Sequence, residues 1–256
     1  MNGTLFNLSG RVALVTGGSK GLGLAMARIF AEAGADVVVS SRHENELKAA
    51  VAEIAKGTGK RAEYVVADMT DRNDVTRLAE SALAKMGHID ILVNNAGSNV
   101  PQSIGDIRDD DWDRIVELNL TSCMALTRAL APQMKERRWG RVIYISSVMG
   151  IVSKDGRGCY SATKSALLGL SRGVALDLGA YNITVNCIAP GPFLTDLPAS
   201  VLTAEQIKIF ADRTALGRWG QPRELAGPAL LLASEAGSYI TGAVLVVDGG
   251  MLVKTF

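Results

Sequence analysis

The chain alternates, almost from end to end, between short apolar runs rich in β-branched residues and longer segments with helical periodicity. Seven runs have the length and composition of strands, and they cover residues 12–16, 36–40, 62–67, 91–94, 142–146, 184–188 and 243–247. Apolar side chains occupy both faces of most of these runs, which is typical of parallel strands that helices cover on each side. This alternation constrains the fold more than any single motif and indicates an α/β architecture.

Helical patterns fill the intervals between the strands. They cover residues 23–33, 44–56, 71–85, 109–134, 160–179 and 224–234. Successive βαβ units of this kind predict a doubly wound, seven-stranded parallel sheet with right-handed crossovers and helices on both faces. Because no linker, repeat or low-complexity segment interrupts the pattern, we expect residues 1–256 to form a single domain.

Composition excludes several classes of protein. The 256 residues carry a net charge of +1, so no overall basic field would recruit nucleic acid or an anionic membrane. No apolar run is long enough to span a bilayer, and the first ten residues do not have the pattern of a signal peptide. Cys123, Cys159 and Cys187 are isolated, which predicts neither disulfides nor a zinc site. We therefore expect a cytoplasmic protein that needs no metal.

A glycine-rich loop follows the first predicted strand directly and opens a helical pattern. Glycines allow the backbone amides to approach a pyrophosphate, which then sits at the N-terminus of the helix. An ordinary glycine turn is the alternative, but the strand–loop–helix context favours a dinucleotide site. The residues expected to contact the cofactor here are Gly17, Ser19, Lys20, Gly21, Leu22 and Gly23.

The end of the second predicted strand indicates which dinucleotide is bound. Sites for NAD usually place a carboxylate there to hold the ribose 2′-hydroxyl, whereas this strand ends in Ser40, Ser41 and Arg42. The Ser41 hydroxyl and the Arg42 guanidinium can bind a 2′-phosphate, and Lys20 would add a second positive charge. The sequence thus favours NADP(H) over NAD(H), although Glu44 is close enough in sequence to keep NAD(H) open.

Tyr160 and Lys164 are four residues apart on a predicted helix, a spacing that on its own indicates an ordinary surface pair. Other polar residues change that interpretation. Ser147 follows one predicted strand, residues 94–97 (Asn-Asn-Ala-Gly) follow another, and Asn119 lies within a helix. In open α/β sheets ligands bind beside the carboxyl ends of the strands, where these groups would converge.

Taken together, these features resemble the short-chain dehydrogenase/reductase family, and the resemblance extends from Leu8 to about Met251. It rests on the glycine loop, Asp68, residues 94–97, Asn119, Ser147, Tyr160, Lys164 and the pair Pro190-Gly191, in the order and spacing of the family. The resemblance implies a single Rossmann domain, commonly assembled as a homotetramer or homodimer, that interconverts a carbonyl and a secondary alcohol by hydride transfer.

The catalytic roles that the resemblance implies also make physical sense. A free tyrosine ionises at a pH of about 10, and the charges of Lys164 and the nicotinamide would favour the tyrosinate. Tyr160 would then exchange a proton with the substrate oxygen, Ser147 would orient that oxygen, and Lys164 would also bind the nicotinamide ribose. Asn119 would hold a water linking Lys164 to solvent. Ser146 competes with Ser147 for its role, and Asn119 could instead satisfy local backbone.

The resemblance implies further contacts along the cofactor. Asp68 and Met69 would bracket the adenine, although Asp68 could instead cap the following helix. The remaining predicted contacts are Asn95, Ala96, Gly97, Tyr160, Lys164, Pro190, Gly191, Phe193 and Thr195.

Substrate contacts are expected from variable loops and from a lid over about residues 193–218. Ser98, Met149 and Phe193 are the candidate residues. Lys154 and Arg157 could receive an anionic group of the substrate, but loop cations are more often simply solvated.

Two substrate classes stay open. The C-terminal portion is similar both to sugar-acid dehydrogenases of the gluconate 5-dehydrogenase type and to 3-oxoacyl-carrier-protein reductases. A keto-sugar acid or polyol is the first candidate and a 3-oxoacyl thioester the alternative. A non-catalytic NADP-binding sensor and a structural subunit are disfavoured because Tyr160, Lys164, Asn119 and the glycine loop are all present. A sugar-nucleotide enzyme would normally need a longer C-terminal region.

Overall fold

The computed structural model describes residues 5–195 and 203–254. Its centre is a sheet of seven strands: β1 (Val12–Thr16), β2 (Asp36–Ser41), β3 (Ala62–Val66), β4 (Ile91–Asn94), β5 (Gly140–Ile145), β6 (Ile183–Pro190) and β7 (Val244–Val247). Every pairing between neighbouring strands is parallel, and the order across the sheet is β3-β2-β1-β4-β5-β6-β7. The predicted seven-stranded parallel sheet is confirmed.

Eight α-helices accompany the sheet in the described residues: α1 (Gly21–Glu32), α2 (Glu44–Ala55), α3 (Arg72–Met86), α4 (Asp109–Val116), α5 (Ser122–Arg137), α6 (Gly158–Leu178), α7 (Ala204–Asp212) and α8 (Pro222–Ala233). Side chains alternate across each strand, so Leu14 packs into one core with α3, α5 and α6. Its neighbours Ala13 and Val15 pack into a second core with α1, α2 and α8. The sheet is therefore buried on both faces, as the apolar strand patterns predicted.

The strand order reverses beside β1, which pairs with β2 on one side and with β4 on the other. A crevice opens at such a point because the connections leaving neighbouring strands run to opposite faces of the sheet. The glycine loop leaves the carboxyl end of β1, residues 95–97 leave β4, and Ser146 and Ser147 leave β5. The fold thus gathers the polar segments that the sequence had marked.

The prediction of one continuous helix between β4 and β5 is wrong. The segment predicted as one helix over residues 109–134 is α4, then a π-helical turn at Glu117–Thr121, then α5. The wider turn accommodates one extra residue within the helix, and Asn119 lies at its centre with its side chain fully buried. A periodicity argument that assumes a constant helical repeat cannot detect this insertion.

Part of the predicted lid, residues 196–202, lies outside the described residues. Its second half contains α7, whose N-terminus is closed by a capping box between Thr203 and Gln206. The aromatic rings of Phe210 and Trp219 then meet edge to face, with 5.4 Å between their centroids. The Trp219 indole also donates a hydrogen bond to the Ile207 carbonyl (2.8 Å), so α7 is tied to the strand-like segment that follows it.

Candidate active site

A cavity of about 710 Å³ lies at the carboxyl ends of β1, β4, β5 and β6. This volume is within the range of sites for small molecules. Its wall combines the glycine loop with the predicted catalytic side chains. The predicted residues that line it are Lys20, Gly21, Leu22, Gly23, Asn95, Gly97, Ser98, Ser147, Met149, Lys154, Arg157, Tyr160, Lys164, Pro190, Gly191, Phe193 and Thr195.

Tyr160 and Lys164 share this cavity with Ser147. Helix α6 begins at Gly158, so Tyr160 lies in its first turn and Lys164 one turn further along the same face. Lys164 is only 4% exposed; its Nζ atom donates to the Ile145 carbonyl at 2.8 Å and lies 5.6 Å from the centroid of the Tyr160 ring. The lysine is therefore not a solvated surface residue but a buried cation fixed against the end of β5.

Asn119 forms a polar link between helix α6, which carries Tyr160 and Lys164, and the loop after β4. Its side-chain oxygen accepts the Ser98 N–H at 2.9 Å, and its amide donates to the Ser98 carbonyl (2.9 Å) and the Thr163 hydroxyl (3.1 Å). A Cβ atom placed on Gly97 would lie 3.2 Å from both the Asn119 Oδ1 atom and the Lys164 Nζ atom. Asn119 and Lys164 thus flank Gly97, and only a residue without a side chain fits there without displacing them.

The two serines after β5 have different partners. The Ser146 hydroxyl donates to the Lys164 carbonyl at 2.8 Å and is buried. The Ser147 oxygen instead accepts the Met149 N–H at 3.1 Å, which leaves its own proton free to donate. Of the two, Ser147 is therefore the hydroxyl available to a ligand in the cavity.

The start of the glycine loop is held by the side chain of Asn95. The Asn95 amide donates to the carbonyls of Thr16 (2.9 Å) and Gly17 (3.2 Å). The Thr16 hydroxyl oxygen accepts the N–H groups of Asn95 and Ala96, each at 3.0 Å. A Cβ atom on Gly23 would lie 2.2 Å from the Gly17 carbonyl oxygen, so the loop can fold back this tightly only with glycine there.

The N-terminus of α1 faces the cavity without a side-chain cap. The amide groups at the start of any helix lack partners within the helix and carry partial positive charge. Here the backbone of Gly21, Leu22 and Gly23 presents that end to the cavity. The arrangement suits a bound pyrophosphate, which would accept hydrogen bonds from these amides.

The corner where the ribose of the adenosine half is expected contains a residue that sequence reasoning missed. The Glu46 carboxylate accepts hydrogen bonds from the Ser19 hydroxyl (3.1 Å) and from the Lys20 ammonium (3.2 Å). Glu44, the carboxylate that the sequence had suggested, pairs instead with Lys48 and accepts the Tyr64 hydroxyl. The available signal for Glu46 was its place in the first turn of α2, next to the glycine loop.

Ser41 is the last residue of β2, and Arg42 follows it directly. The Ser41 oxygen accepts the His43 N–H at 3.3 Å, and the Arg42 side chain is exposed. In the part of the chain that the structure describes, the Arg42 guanidinium has no hydrogen bond or ion pair.

The pair predicted at the adenine follows β3. The Asp68 carboxylate accepts both the backbone N–H and the hydroxyl of Thr70, at 2.9 and 2.8 Å, and Met69 is buried. The cap of α3 is Asp71, which accepts the Asn73 N–H, so Asp68 does not have that role. Neither Asp68 nor Met69 is among the described residues that line the cavity.

The cavity wall also contains residues that were not among the candidate substrate contacts. They include Pro101, Ile145, Pro192, Phe210 and Trp219. Phe210 belongs to the segment predicted as the lid, and Trp219 follows that segment directly. Their approach to the cavity depends on how α7 packs, which the sequence does not give. The predicted substrate contacts Ser98, Met149 and Phe193 lie in the same cavity.

Two further features bear on the class of protein. Within residues 5–195 and 203–254, no three His, Cys, Asp or Glu side chains are grouped so that they could hold a metal ion. The same residues contain no helix with the length and apolar character needed to cross a membrane.

Comparison with known proteins places the chain in a family. A family model described as enoyl-(acyl carrier protein) reductase matches residues 17–252. Gluconate 5-dehydrogenase from Gluconobacter oxydans is 37% identical over 251 residues, which are 98% of each protein. A 3-oxoacyl-acyl-carrier-protein reductase from Thermotoga maritima is 35% identical over 246 residues, which are 96% of this chain and 99% of that protein.

Solved structures agree. A 3-oxoacyl (acyl-carrier-protein) reductase from Agrobacterium tumefaciens C58 with NADP bound matches with a TM-score of 0.93 at 34% identity, over 98% of this chain and 97% of that one. A 7α-hydroxysteroid dehydrogenase complexed with NADH matches with a TM-score of 0.93 at 38% identity, with the same coverage. The chain therefore belongs to the short-chain dehydrogenase/reductase family, oxidoreductases that use a nicotinamide cofactor and act on CH–OH or carbonyl groups.

Proposed function

We propose that this protein is an NADP(H)-dependent oxidoreductase that interconverts a carbonyl and a secondary alcohol. The observation that carries the proposal is that Ser147, Tyr160 and Lys164 line the same cavity as the open N-terminus of α1. An acid–base group, a hydroxyl donor and a buried cation are thereby gathered beside a site for a dinucleotide pyrophosphate.

Each side chain has a role that follows from its contacts. Tyr160 exchanges a proton with the substrate oxygen, and the free hydroxyl proton of Ser147 orients that oxygen. Lys164 donates one of its three N–H groups to the Ile145 carbonyl, so the other two remain for the nicotinamide ribose. The bound cofactor supplies or accepts the hydride.

Asn119 positions these groups. Its bonds to Ser98 and Thr163 fix the loop after β4 to the helix that carries Tyr160 and Lys164. We also propose that Asn119 holds a water molecule that would connect Lys164 to solvent for proton exchange.

The rest of the cofactor is assigned along the crevice. Gly17 to Gly23 bind the pyrophosphate, Asp68 and Met69 flank the adenine, and residues 95–97 line the floor. Pro190, Gly191, Phe193 and Thr195 lie against the nicotinamide end, consistent with their place in the cavity wall. NADP(H) is preferred because Ser41, Arg42 and Lys20 present a hydroxyl and two cations at the ribose corner.

The substrate we favour is a keto-sugar acid or polyol, as in the gluconate 5-dehydrogenase that this chain resembles. The alternative is a 3-oxoacyl thioester, the substrate class named for the comparably similar Thermotoga maritima protein.

We further propose that the protein acts in the cytoplasm as a homotetramer. The strand β7 forms an edge of the sheet, and large apolar side chains are exposed near it and on α6. Tyr239 is fully exposed and Leu176 is 86% exposed, which is unfavourable unless another subunit covers them. Cys123, Cys159 and Cys187 are all free and buried, which suits a reducing compartment.

The test is a screen of wild-type protein that follows the absorbance of the reduced nicotinamide. NADPH and NADH are offered with diketones, acetoacetyl thioesters and keto-sugar acids, and NADP and NAD with polyols and gluconate. We expect turnover with at least one carbonyl or alcohol, and faster turnover with the phosphorylated cofactor. Absence of turnover across the panel would contradict the proposal and favour a cofactor-binding protein without catalysis.

A further inference from the structure

Two cationic side chains line the cavity beside α7, and a third follows that helix. Lys154 and Arg157 line the cavity, and the Lys154 Nζ atom lies 4.9 Å from the centroid of the Phe210 ring. Arg213 follows Phe210 by three residues at the end of α7. Burial, followed by the charges of Arg157 and Arg213, lowers the pKa of Lys154. The charges of both arginines therefore reach Lys154.

The carboxylates nearby do not compensate this charge. Asp111 is bound to Gln102 and Arg114, and Asp212 pairs with Lys208. Asp155, next to Lys154 in the chain, has the weakest of the charge effects on that lysine. Among residues 5–195 and 203–254, none of the three cations forms an ion pair.

The loop that carries Lys154 and Arg157 is held in place. The Gly156 carbonyl accepts the Gln102 N–H at 3.1 Å, and the Gln102 side chain is in turn bound to Asp111 at 2.9 Å. Gly156 has a φ of +70°, a conformation that glycine adopts without strain. The cations are thus presented to the cavity by a loop anchored to the segment that follows β4.

We propose that Lys154, Arg157 and Arg213 form a subsite for an anionic group, a carboxylate or a phosphate, on the substrate whose carbonyl reaches Tyr160. The inference rests on the proposed function and makes it more specific. An anion would supply the missing counter-charge, and the arginine guanidinium groups can bind it with paired hydrogen bonds. Phe210 and Trp219 would cover the apolar part of the same ligand.

Binding can be tested without turnover, because Trp219 lines the cavity and reports on it by fluorescence. The protein is first saturated with NADP and then titrated with malonate and, separately, with inorganic phosphate. The Trp219→Phe variant shows which part of the fluorescence change comes from Trp219. Lys135→Met is the matched control, since Lys135 also lies over an aromatic ring (Tyr181, 5.0 Å) but does not line the cavity.

We expect at least one anion to bind wild type and Lys135→Met equally, and to bind Lys154→Met and Arg157→Gln about tenfold or more weakly. A response to malonate would indicate a carboxylate site, and a response to inorganic phosphate would indicate a phosphate site. Equal binding to all four proteins, or binding to none, would overturn the subsite. In turnover, a keto acid should have a lower KM than its amide in wild type but not in Arg157→Gln. Turnover of both without this difference would sink the subsite and leave the proposed function standing.

A second inference rests on a separate observation, the hydrogen bonds of Glu46 to Ser19 and Lys20. Although partial burial acts in the opposite direction, the bonds from Lys20 and Ser19 lower the pKa of Glu46, so it is a carboxylate. Through these bonds it occupies Lys20, one of the groups assigned to the 2′-phosphate, and the neighbouring hydroxyl of Ser19.

We infer that Glu46 is a specificity-determining residue that competes with the 2′-phosphate for Ser19 and Lys20. It thereby reduces the preference of the protein for NADP(H) over NAD(H). Removing its charge frees both donors and removes repulsion of the phosphate. A cofactor without the phosphate gains neither benefit.

The test is titration of NADPH and NADH fluorescence with wild type, Glu46→Gln and Glu44→Gln. Glu44 is the matched control because it lies on the same helix but pairs with Lys48 and Tyr64. We expect Glu46→Gln to bind NADPH about threefold to fivefold more tightly, with NADH unchanged. Equal changes for both cofactors, or the same change in Glu44→Gln, would overturn the role of Glu46. Failure of wild type to bind either cofactor would instead overturn the proposed function.

Discussion

The floor and the rim of the cavity are built differently. At the floor, Ser147 and Lys164 line the cavity and Asn119 lies behind Gly97. All three are at least nine-tenths buried and are hydrogen-bonded to backbone groups. At the rim, Lys154 extends from a loop that lines the cavity. Arg42 follows β2 outside the cavity wall and is assigned to the rim by the proposed position of the cofactor; both side chains are exposed. A buried polar group must have its partners in place, so its geometry is set by the fold. An exposed cation acquires its geometry only when a ligand binds.

This difference suggests a division of work. The floor would perform the proton chemistry that members of the family share, whereas the rim would select the cofactor and the substrate. Variants of the floor should therefore change turnover, and variants of the rim should change affinity and preference. The three predictions below test that division.

The largest effect is expected at Lys164. Replacing it in Lys164→Met removes the buried ammonium that donates to the Ile145 carbonyl and lies beside the Tyr160 ring. We expect kcat to fall by about a hundredfold to ten-thousandfold, as for loss of acid–base assistance. Steady-state rates with the best substrate from the screen would measure it. A variant with wild-type kcat would show that Lys164 has no part in the chemistry.

A smaller loss is expected at Asn119. Asn119→Ala leaves the Ser98 N–H and the Thr163 hydroxyl without their buried partner, at a cost of about 1–3 kcal/mol in stability. Because the loop after β4 loosens, kcat should also fall, by about tenfold.

Asn186→Ala is the control for Asn119, since Asn186 is equally buried and bonds to Ile240 and Ala243 away from the cavity. Thermal unfolding and kcat are measured for both variants. Both should lose stability, but only Asn119→Ala should lose turnover. Equal kcat in the two would make Asn119 a purely structural residue.

The smallest effect on catalysis is expected at the rim. Arg42→Asp replaces a guanidinium with a carboxylate that repels a 2′-phosphate and can hold a 2′-hydroxyl. We expect the ratio of kcat/KM for NADPH to that for NADH to fall about tenfold to a hundredfold, with kcat nearly unchanged. Arg108→Asp, which makes the same change of charge on the exposed start of α4, should leave the ratio alone. A drop in kcat instead would break the division between floor and rim.

Much of the fold could be predicted because the strands are buried on both faces. The predicted bounds of β1 and β4 agree with the structure, since both are wholly apolar until their last residue. The start of β5 was missed because its first two residues are Gly140 and Arg141. Arg141 is fully buried against the Trp139 ring, 4.3 Å from its centroid, and pairs with Glu235. No rule based on hydropathy places an arginine in a central strand.

The features of the site also differ in how far the sequence could predict them. The loops after β4 and β5, including Ser147, converge because parallel strands end at one edge of the sheet, a consequence of topology that the sequence pattern predicts. The π-helical turn around Asn119, the approach of Phe210 and Trp219, and the pairing of Glu46 with Lys20 depend on how individual helices pack. These contacts have no sequence periodicity, so they required the structure.

The central claim is that Tyr160 is the group that exchanges a proton with the substrate while the cofactor is held elsewhere in the cavity. Tyr160→Phe tests it most directly, because only the hydroxyl is removed and the ring remains beside Lys164. NADPH binding is measured by fluorescence, and NADPH oxidation with the best carbonyl is measured by absorbance on the same preparation. We predict unchanged NADPH affinity and a loss of kcat of about a hundredfold to ten-thousandfold. A Phe variant that binds NADPH and keeps full activity would contradict the account.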